Sequence, residues 1–516
     1  MNESSQWRKW LRRGLITAGT LVGLLLLALA VRSFWAFRDR NPGYQMDLHL
    51  PANKTTAAAQ PLRVGFARQR INPDLSRPGR PVWIAGFSQN RAATAIHDDL
   101  WAVGCVWDDG VTKVGLVVLD AIGLFQDDVI AVRRAAEAAK LQYAVVCSTH
   151  NHSTPDLMGL WGPHPLKTGV DPDYRQQVIQ TAARVLVEAA GATRPARMGV
   201  IEIPIPTAGL VADTRKPEVF DATLRAMVFR EAESGKVLGS VVNWGDHPET
   251  PWSRNTEITS DYCGYLRDEL EKGISVDGQV REEGLGGVHL FVNGAVGGLM
   301  STTPSVTVRD PYLEKEFKEP SHDKARAVAR RLAQTLFPSM RKPELSSVER
   351  AAITVDAATV ELPLANKGFY LASILGLMDR GHSRLGWLRT EVAVIGLGEV
   401  RLLCVPGELY PELANGGIER APGGDFDCEP VEMPPLRALV PGKPAFLLGL
   451  ANDEIGYIIP KSEWDQKPPY IYGSKRGVYG EVNSVGPDTA PRLHRVIKAL
   501  VERMGSVKEV GLSAPH

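Results

Sequence analysis

The chain has 516 residues, and its 59 Lys and Arg balance its 59 Asp and Glu, which argues against a nucleic-acid binder. Hydrophobic residues make up 44% and charged residues 23%, a composition that packs into a globular core and excludes widespread disorder. The 49 Gly and 36 Pro point to many turns and irregular loops rather than a helical solenoid.

Gly14 to Val31 carry no charge. Arg8, Lys9, Arg12 and Arg13 precede this run, and Arg32, Arg38 and Arg40 follow it. Its length just suffices to span a bilayer and exceeds a signal-peptide core. Residues 1–40 are therefore expected to form an uncleaved signal anchor. The basic N-terminal flank keeps that end in the cytoplasm, so the rest is expected outside it, periplasmic or extracellular. Cleavage after Ala28-Leu29-Ala30, releasing a secreted protein, is the alternative. Residues 41–62, rich in Pro, Ala and Thr and without periodicity, are expected to be a linker.

From Arg63 onward strand and helix patterns alternate. Val114–Leu119, Tyr143–Cys147, Val237–Trp244 and His289–Val292 are short apolar runs that predict buried strands. Helical spacing predicts helices over Asp127–Lys140, Asp173–Ala190 and Ser321–Phe337, the last capped by Ser321. Strands are expected again at Ile353–Leu362, Glu391–Val405 and Phe446–Leu450, and a closing helix at Asp488–Met504. This predicts an α/β, mixed α+β, architecture: one large domain over residues 63–510, with mixed sheets flanked by helices behind a transmembrane helix. The five cysteines form no CxxC pair, so a thiolate zinc site is not expected. No glycine-rich phosphate loop follows a strand, so no nucleotide cofactor is expected.

The histidines carry the chemical signal. His150 and His152 lie in VVCSTHNHSTPD, directly after a predicted strand. In an extended segment, residues two apart point to one side, so two imidazoles can address one point. His247 in VVNWGDHPET repeats the strand-then-histidine pattern. Neutral imidazoles with a carboxylate suit zinc, and Glu408 in LLCVPGELYPEL, after another predicted strand, is the candidate carboxylate.

These segments together resemble the neutral/alkaline ceramidases. STHNHS, DHPET, ITSDYCGYL (258–266), VPGE (405–408) and NDEIGY (452–457) are similar to that family's motifs and follow in the same order, after an opening RVGFARQRINP (63–73). The resemblance implies a Zn2+ site made by His150, His247, Glu408 and Tyr457. It implies His152 as general base and acid, and Arg215 as the group that contacts the amide carbonyl, although Thr214 stands where the family has asparagine. Asp261 would be a supporting acid and Tyr479 a tyrosine near the substrate. The implied reaction is hydrolysis of the amide bond of an N-acylated, ceramide-like lipid to a sphingoid base and a fatty acid. An esterase or peptidase on the same scaffold, and a non-catalytic lipid binder, are the competing readings.

Two departures shape the expected mechanism. In VNGAVGGLMSTTP (292–304), Gly298 occupies the place of the family's acid and Met300 that of its serine, with Ser301 one residue late. In an extended segment that shift turns Ser301 to the opposite face, so attack by water without an acyl-enzyme is expected. The family's C-terminal β-sandwich domain is not expected after the predicted last helix.

Overall fold

The computed structural model describes residues 3–52, 60–298, 300–477 and 479–506. Two mixed sheets pack face to face, and helices cover their outer faces. The larger sheet holds β2 (Arg63–Arg70), β3 (Trp101–Asp108), β4 (Lys113–Leu119), β5 (Tyr143–Ser148), β6 (Arg194–Pro204), β7 (Thr223–Glu231), β8 (Val237–Trp244) and β9 (Val288–Asn293). Its spatial order is β9-β8-β7-β6-β2-β3-β4-β5. The smaller sheet runs β1 (Asp47–Leu50), β10 (Ile353–Pro363), β11 (Trp387–Leu397), β12 (Val400–Cys404) and β13 (Ala445–Leu448).

The sequence pattern explains this layering. β4 and β5 are buried along almost their whole length, because one face meets the other sheet and the opposite face meets helices. Between the sheets, Trp107, Val145, Phe229 and Leu290 pack against Ile395, Leu402 and Phe446. On the outer face of β3 to β5 lie α2 (Gln126–Ala135) and α3 (Pro172–Gly191). α3 starts at Asp171, whose side chain accepts from the backbone amides of Asp173 and Tyr174, with Pro172 in the first turn. Gly65, Gly104 and Gly115 let α3 lie close: a Cβ on each would collide with Ala189, Val185 and Leu186 respectively. α4 (Asp261–Lys272) and α5 (His322–Met340) cover β6 to β9. α8 (Thr489–Ser506) covers the smaller sheet through Leu493, Ile497 and Leu500.

Only three neighbouring strand pairs in these sheets are parallel: β4 with β5, β8 with β9, and β12 with β13. Strands at such pairs deliver their following loops to one side, where α/β proteins place ligands. The edge strands β5 and β9 also touch, so the larger sheet curls and brings the loops after β5 and β8 together.

Some details differ from the sequence expectations. The helix expected over 127–140 stops at Ala135; a 3₁₀ turn at Glu137–Ala139 follows and ends at Lys140 with φ 52°. The strand expected over 391–405 is a hairpin, because Gly398 with φ 58° turns the chain between β11 and β12. The expected linker over 41–62 contains β1, paired antiparallel with β10, while its residues 53–59 lie outside the described residues. The N-terminal helix α1 (Glu3–Ala36) is long and apolar enough to cross a membrane, with a mean hydropathy of 2.3 and no burial in its apolar window.

Candidate metal centre and catalytic site

Four loops meet beyond the carboxyl ends of β5, β8, β12 and β13. The β5 loop turns sharply: His150 takes φ 66°, a left-handed conformation costly for a residue with a Cβ, of the kind that clusters at functional sites. Its Nδ1 sits 2.8 Å from the carbonyl of Ile122, which fixes Nδ1 as the donor and leaves Nε2 as the free lone pair. That Nε2 lies 3.3 Å from Glu408 Oε2. His247 Nε2 approaches the same oxygen at 3.0 Å. Two buried imidazole nitrogens thus converge on one carboxylate oxygen.

The loops are laced together. At the end of β9, Asn293 donates from Nδ2 to the carbonyls of Thr149 and Asp246, both at 2.9 Å. The amide of His152 donates to Pro248 O at 3.0 Å. Asp261 accepts from the amides of Thr250 (2.9 Å) and Tyr262 (2.6 Å), anchoring the loop after His247 from the start of α4. Burial pushes its carboxyl up to about 7. Glu408 and Tyr457 stand side by side because Glu408–Leu409 pairs in parallel with Tyr457–Ile458. The Tyr457 hydroxyl is 2.9 Å from that of Tyr479.

His152 is buried, with its ring centroid 5.0 Å from that of His150 and 5.6 Å from that of His247. Neither ring nitrogen has a well-aligned hydrogen bond. Nδ1 nonetheless lies 3.2 Å from Glu249 Oε2. Burial, with the neighbouring imidazoles His150 and His247 and the guanidinium of Arg91, holds the His152 imidazolium well below its ordinary range. Gly86 flanks the ring, where any Cβ would strike it. Burial raises the Glu408 carboxyl, but the imidazoles of His150 and His247 outweigh it and hold the group low. Burial lifts the Tyr457 phenol, and the Glu408 charge lifts it further.

A largely apolar cavity opens onto this cluster. His150, His152, Glu408, Tyr457 and Tyr479 line its polar side together with Arg380, His382 and Glu454, and Phe87, Ile122, Met158, Leu160, Phe369 and Leu388 are among its apolar walls. A second opening reaches His152 and His247 past Thr214, Glu249, Trp252 and Ser301.

The structure thus gathers His150, His152, His247, Glu408, Tyr457 and Tyr479, and sets Asp261 behind them. Arg215 is placed differently. Its guanidinium is buried and donates to both Glu412 oxygens at 2.7 Å, with Asp213 at 3.9 Å and Glu463 at 3.7 Å. It also stacks on Tyr410, 4.2 Å from the ring centroid. A Cβ at Gly298, which has φ 71°, would meet this guanidinium, and Thr214 rather than Arg215 lines an opening to the histidines. Glu412 holds the guanidinium beside Tyr410, its buried Nε has no hydrogen-bond partner, and Arg215 lines neither the cavity nor the opening that reaches the histidines.

Ser301 also departs from expectation. It does not turn away: its hydroxyl donates to Glu249 Oε1, because Ser301 lies beside His247 in a parallel bridge. Glu249 was not singled out from the sequence, although it stands two residues after His247 in DHPET. A charged residue in a short loop between two apolar runs was the available signal.

The donor set fits a metal ion: ring nitrogens of His150, His152 and His247 all lie within 4.8 Å of one another. Two imidazoles present Nε2 to one carboxylate in a buried pocket, one of them fixed in the correct tautomer by a backbone carbonyl. Among the described residues one other cluster has metal-ligand chemistry, His97, Asp98 and His322. There the two rings stack, with centroids 3.6 Å apart and planes 11° from parallel, so their lone pairs do not meet in a common plane.

The architecture is similar to that of solved ceramidase structures. No family profile and no curated relative matches the chain. Among solved structures, it is similar to the neutral ceramidase from Pseudomonas aeruginosa: TM-score 0.64, 15% identity, covering 88% of this chain and 76% of that one. A structure described as a ceramidase complexed with C2 superposes at TM-score 0.63 with 14% identity, covering 88% and 77%. At these identities the likeness establishes the fold.

Proposed function

We propose that this protein is a zinc-dependent hydrolase that cleaves the amide bond of an N-acylated, ceramide-like lipid into a sphingoid base and a fatty acid. The observation that carries the reading is the convergence of His150 Nε2 and His247 Nε2 on Glu408 Oε2 at the floor of an apolar cavity, with His152 alongside. The ceramidase fold supports the same substrate class. His150, His247 and Glu408 would hold the ion, with Tyr457 as a fourth ligand. When bound there, zinc would supply polarisation of the scissile carbonyl and a more acidic water.

The chain's own residues supply the rest. His152, neutral at physiological pH, takes a proton from the attacking water and returns it to the leaving amine nitrogen. Glu249, close to Nδ1, orients the ring and balances the imidazolium that forms. The Phe87, Ile122 and Met158 wall accepts an acyl or sphingoid chain and excludes water. We further propose that α1 anchors the enzyme in a membrane with the catalytic domain outside the cytoplasm, where the basic residues before Gly14 favour that orientation.

The test is fatty-acid release from a long-chain N-acyl sphingoid lipid and from a matched ester, with zinc-loaded and chelator-stripped protein. Zinc-dependent release from the amide is expected. Release from the ester alone selects the esterase reading, and no release from either contradicts the proposal.

A further inference from the structure

The end of α1 is bonded to a short helix, α6 (Lys367–Leu375), which forms part of the cavity wall. Arg32, the first residue after the uncharged run, donates from Nε to the carbonyl of Ile374 at 2.6 Å. Phe37 lies against Tyr370, with ring centroids 4.4 Å apart. Just beyond α6, Arg40 donates to the backbone carbonyl of Asp379 at 3.0 Å and pairs with its carboxylate. These contacts set α6 at a fixed depth relative to α1.

With α1 spanning a bilayer, that depth is the membrane boundary. A charged residue directly after a spanning run sits at the edge of the hydrocarbon, and aromatic residues collect at the same level. Phe34 is 73% and Trp35 53% exposed, one turn after the run. The last turn of α6 is hydrogen-bonded to Arg32 and so lies at this level.

α6 is two-faced at the same place. Leu371 is 55% and Leu375 44% exposed, four residues apart and therefore on one face. Phe369 and Ser373, also four apart, line the cavity that contains His150 and His152. A two-residue offset rotates by about 200° around a helix, so the cavity face and the exposed face are opposite. The helix carries one charge, Lys367 at its start.

We propose that α6 lies in the bilayer interface and is the portal by which a lipid passes from the membrane into the cavity. Leu371 and Leu375 contact acyl chains of the extracytoplasmic leaflet, and Phe369 and Ser373 guide the lipid toward the histidines. This rests on the reading of α1 as an uncleaved anchor and deepens the proposed lipid substrate class.

The test uses the full chain in phosphatidylcholine/phosphatidylglycerol vesicles and needs no turnover, so its outcome is separate from that of the amidase reading. Cys428→Ser removes the one cysteine that is not buried. Single cysteines at Leu25, Leu371, Leu375 and Val280 then carry an environment-sensitive fluorophore, and the vesicles contain brominated acyl chains. Val280 is an exposed position on the hairpin Gly273–Glu283, remote in sequence from α6. Quenching is expected at positions 25, 371 and 375, and not at 280. A diazirine-bearing N-acyl lipid in the same vesicles is expected to label the segment 368–380, and Leu371→Asp with Leu375→Asp is expected to abolish that label. Quenching at 25 without quenching at 371 and 375 overturns the portal alone. No quenching at 25 overturns the anchor and the portal together. Quenching at 371 and 375 without photolabelling of 368–380 leaves α6 at the membrane and overturns its role as a passage.

Discussion

Glu249 Oε2 lies 3.2 Å from His152 Nδ1, and the other oxygen of the same carboxylate accepts the hydroxyl of Ser301. A buried carboxylate fixed at one oxygen and facing an imidazole at the other orients that ring and stabilises its charged form. His152→Ala is therefore expected to keep the metal and lose about 10²–10⁴-fold in turnover. Glu249→Gln is expected to lower turnover less, with a shifted pH–rate profile, since it retains the shape but not the charge. Loss of metal in His152→Ala would make His152 a ligand instead.

The Ser301 hydroxyl donates to Glu249 and is engaged there. Ser301→Ala is expected to retain activity within a few-fold, and neither burst kinetics nor an acylated peptide is expected when substrate is trapped early. An acyl group recovered on Ser301 would replace attack by water with covalent catalysis.

Arg215 sits among three buried carboxylates, Glu412, Asp213 and Glu463. Burial pushes the Asp213 carboxyl up to about 7 and the Glu463 carboxyl up to about 10, so the loss falls on the Arg215–Glu412 pair, and breaking a buried pair costs about 3–5 kcal/mol. Arg215→Ala is expected to lower the denaturation midpoint strongly. A variant of native stability whose kcat falls steeply would return Arg215 to the carbonyl-binding role.

The fold was legible where a single rule governs a segment. The apolar runs of β4, β5, β8 and β9 read directly as buried strands, and the spacing of Val178, Ile179, Ala182, Val185 and Leu186 read as α3. The hairpin at Gly398 stayed hidden because β11 and β12 are both buried and leave no polar turn signal beyond Gly398 and Glu399. The strand β1 stayed hidden because its order comes from β10 and from Arg503, which donates to Asp47 and to Leu48 O. At the site, His150, His247 and Glu408 each followed a strand and could be found one at a time. The bidentate partner of Arg215 could not, because Glu412 is 197 residues away in sequence and only the folded chain brings it near. Ser301 was misdirected by a rule for regular strands, which the glycine-rich turn before it does not obey.

His289 offers a pH test away from the metal centre. Its Nε2 donates to Gly286 O at 2.9 Å and its Nδ1 lies 2.8 Å from Ser240 Oγ. Burial lowers its pKa from 6.5 to about 4, against the opposing Gly286 bond. Between those values the unfolded chain binds a proton that the folded chain does not, so stability falls as pH falls through this window. Relative to His289→Gln, the wild type is expected to lose up to about 3 kcal/mol between pH 6.5 and 4, at 1.36 kcal/mol per pKa unit. Denaturant titrations of both proteins across that range check it, and parallel curves would show that His289 does not titrate this way.

The central claim is that His150, His247 and Glu408 together hold one catalytic zinc ion. Elemental analysis of the purified full-length protein, expressed with ample zinc, tests it most directly when His150→Ala and His247→Ala are measured alongside. About one zinc per wild-type chain is expected, with loss of most of it in each variant and the fold intact. Wild-type protein without zinc, or variants that keep it, would contradict the account.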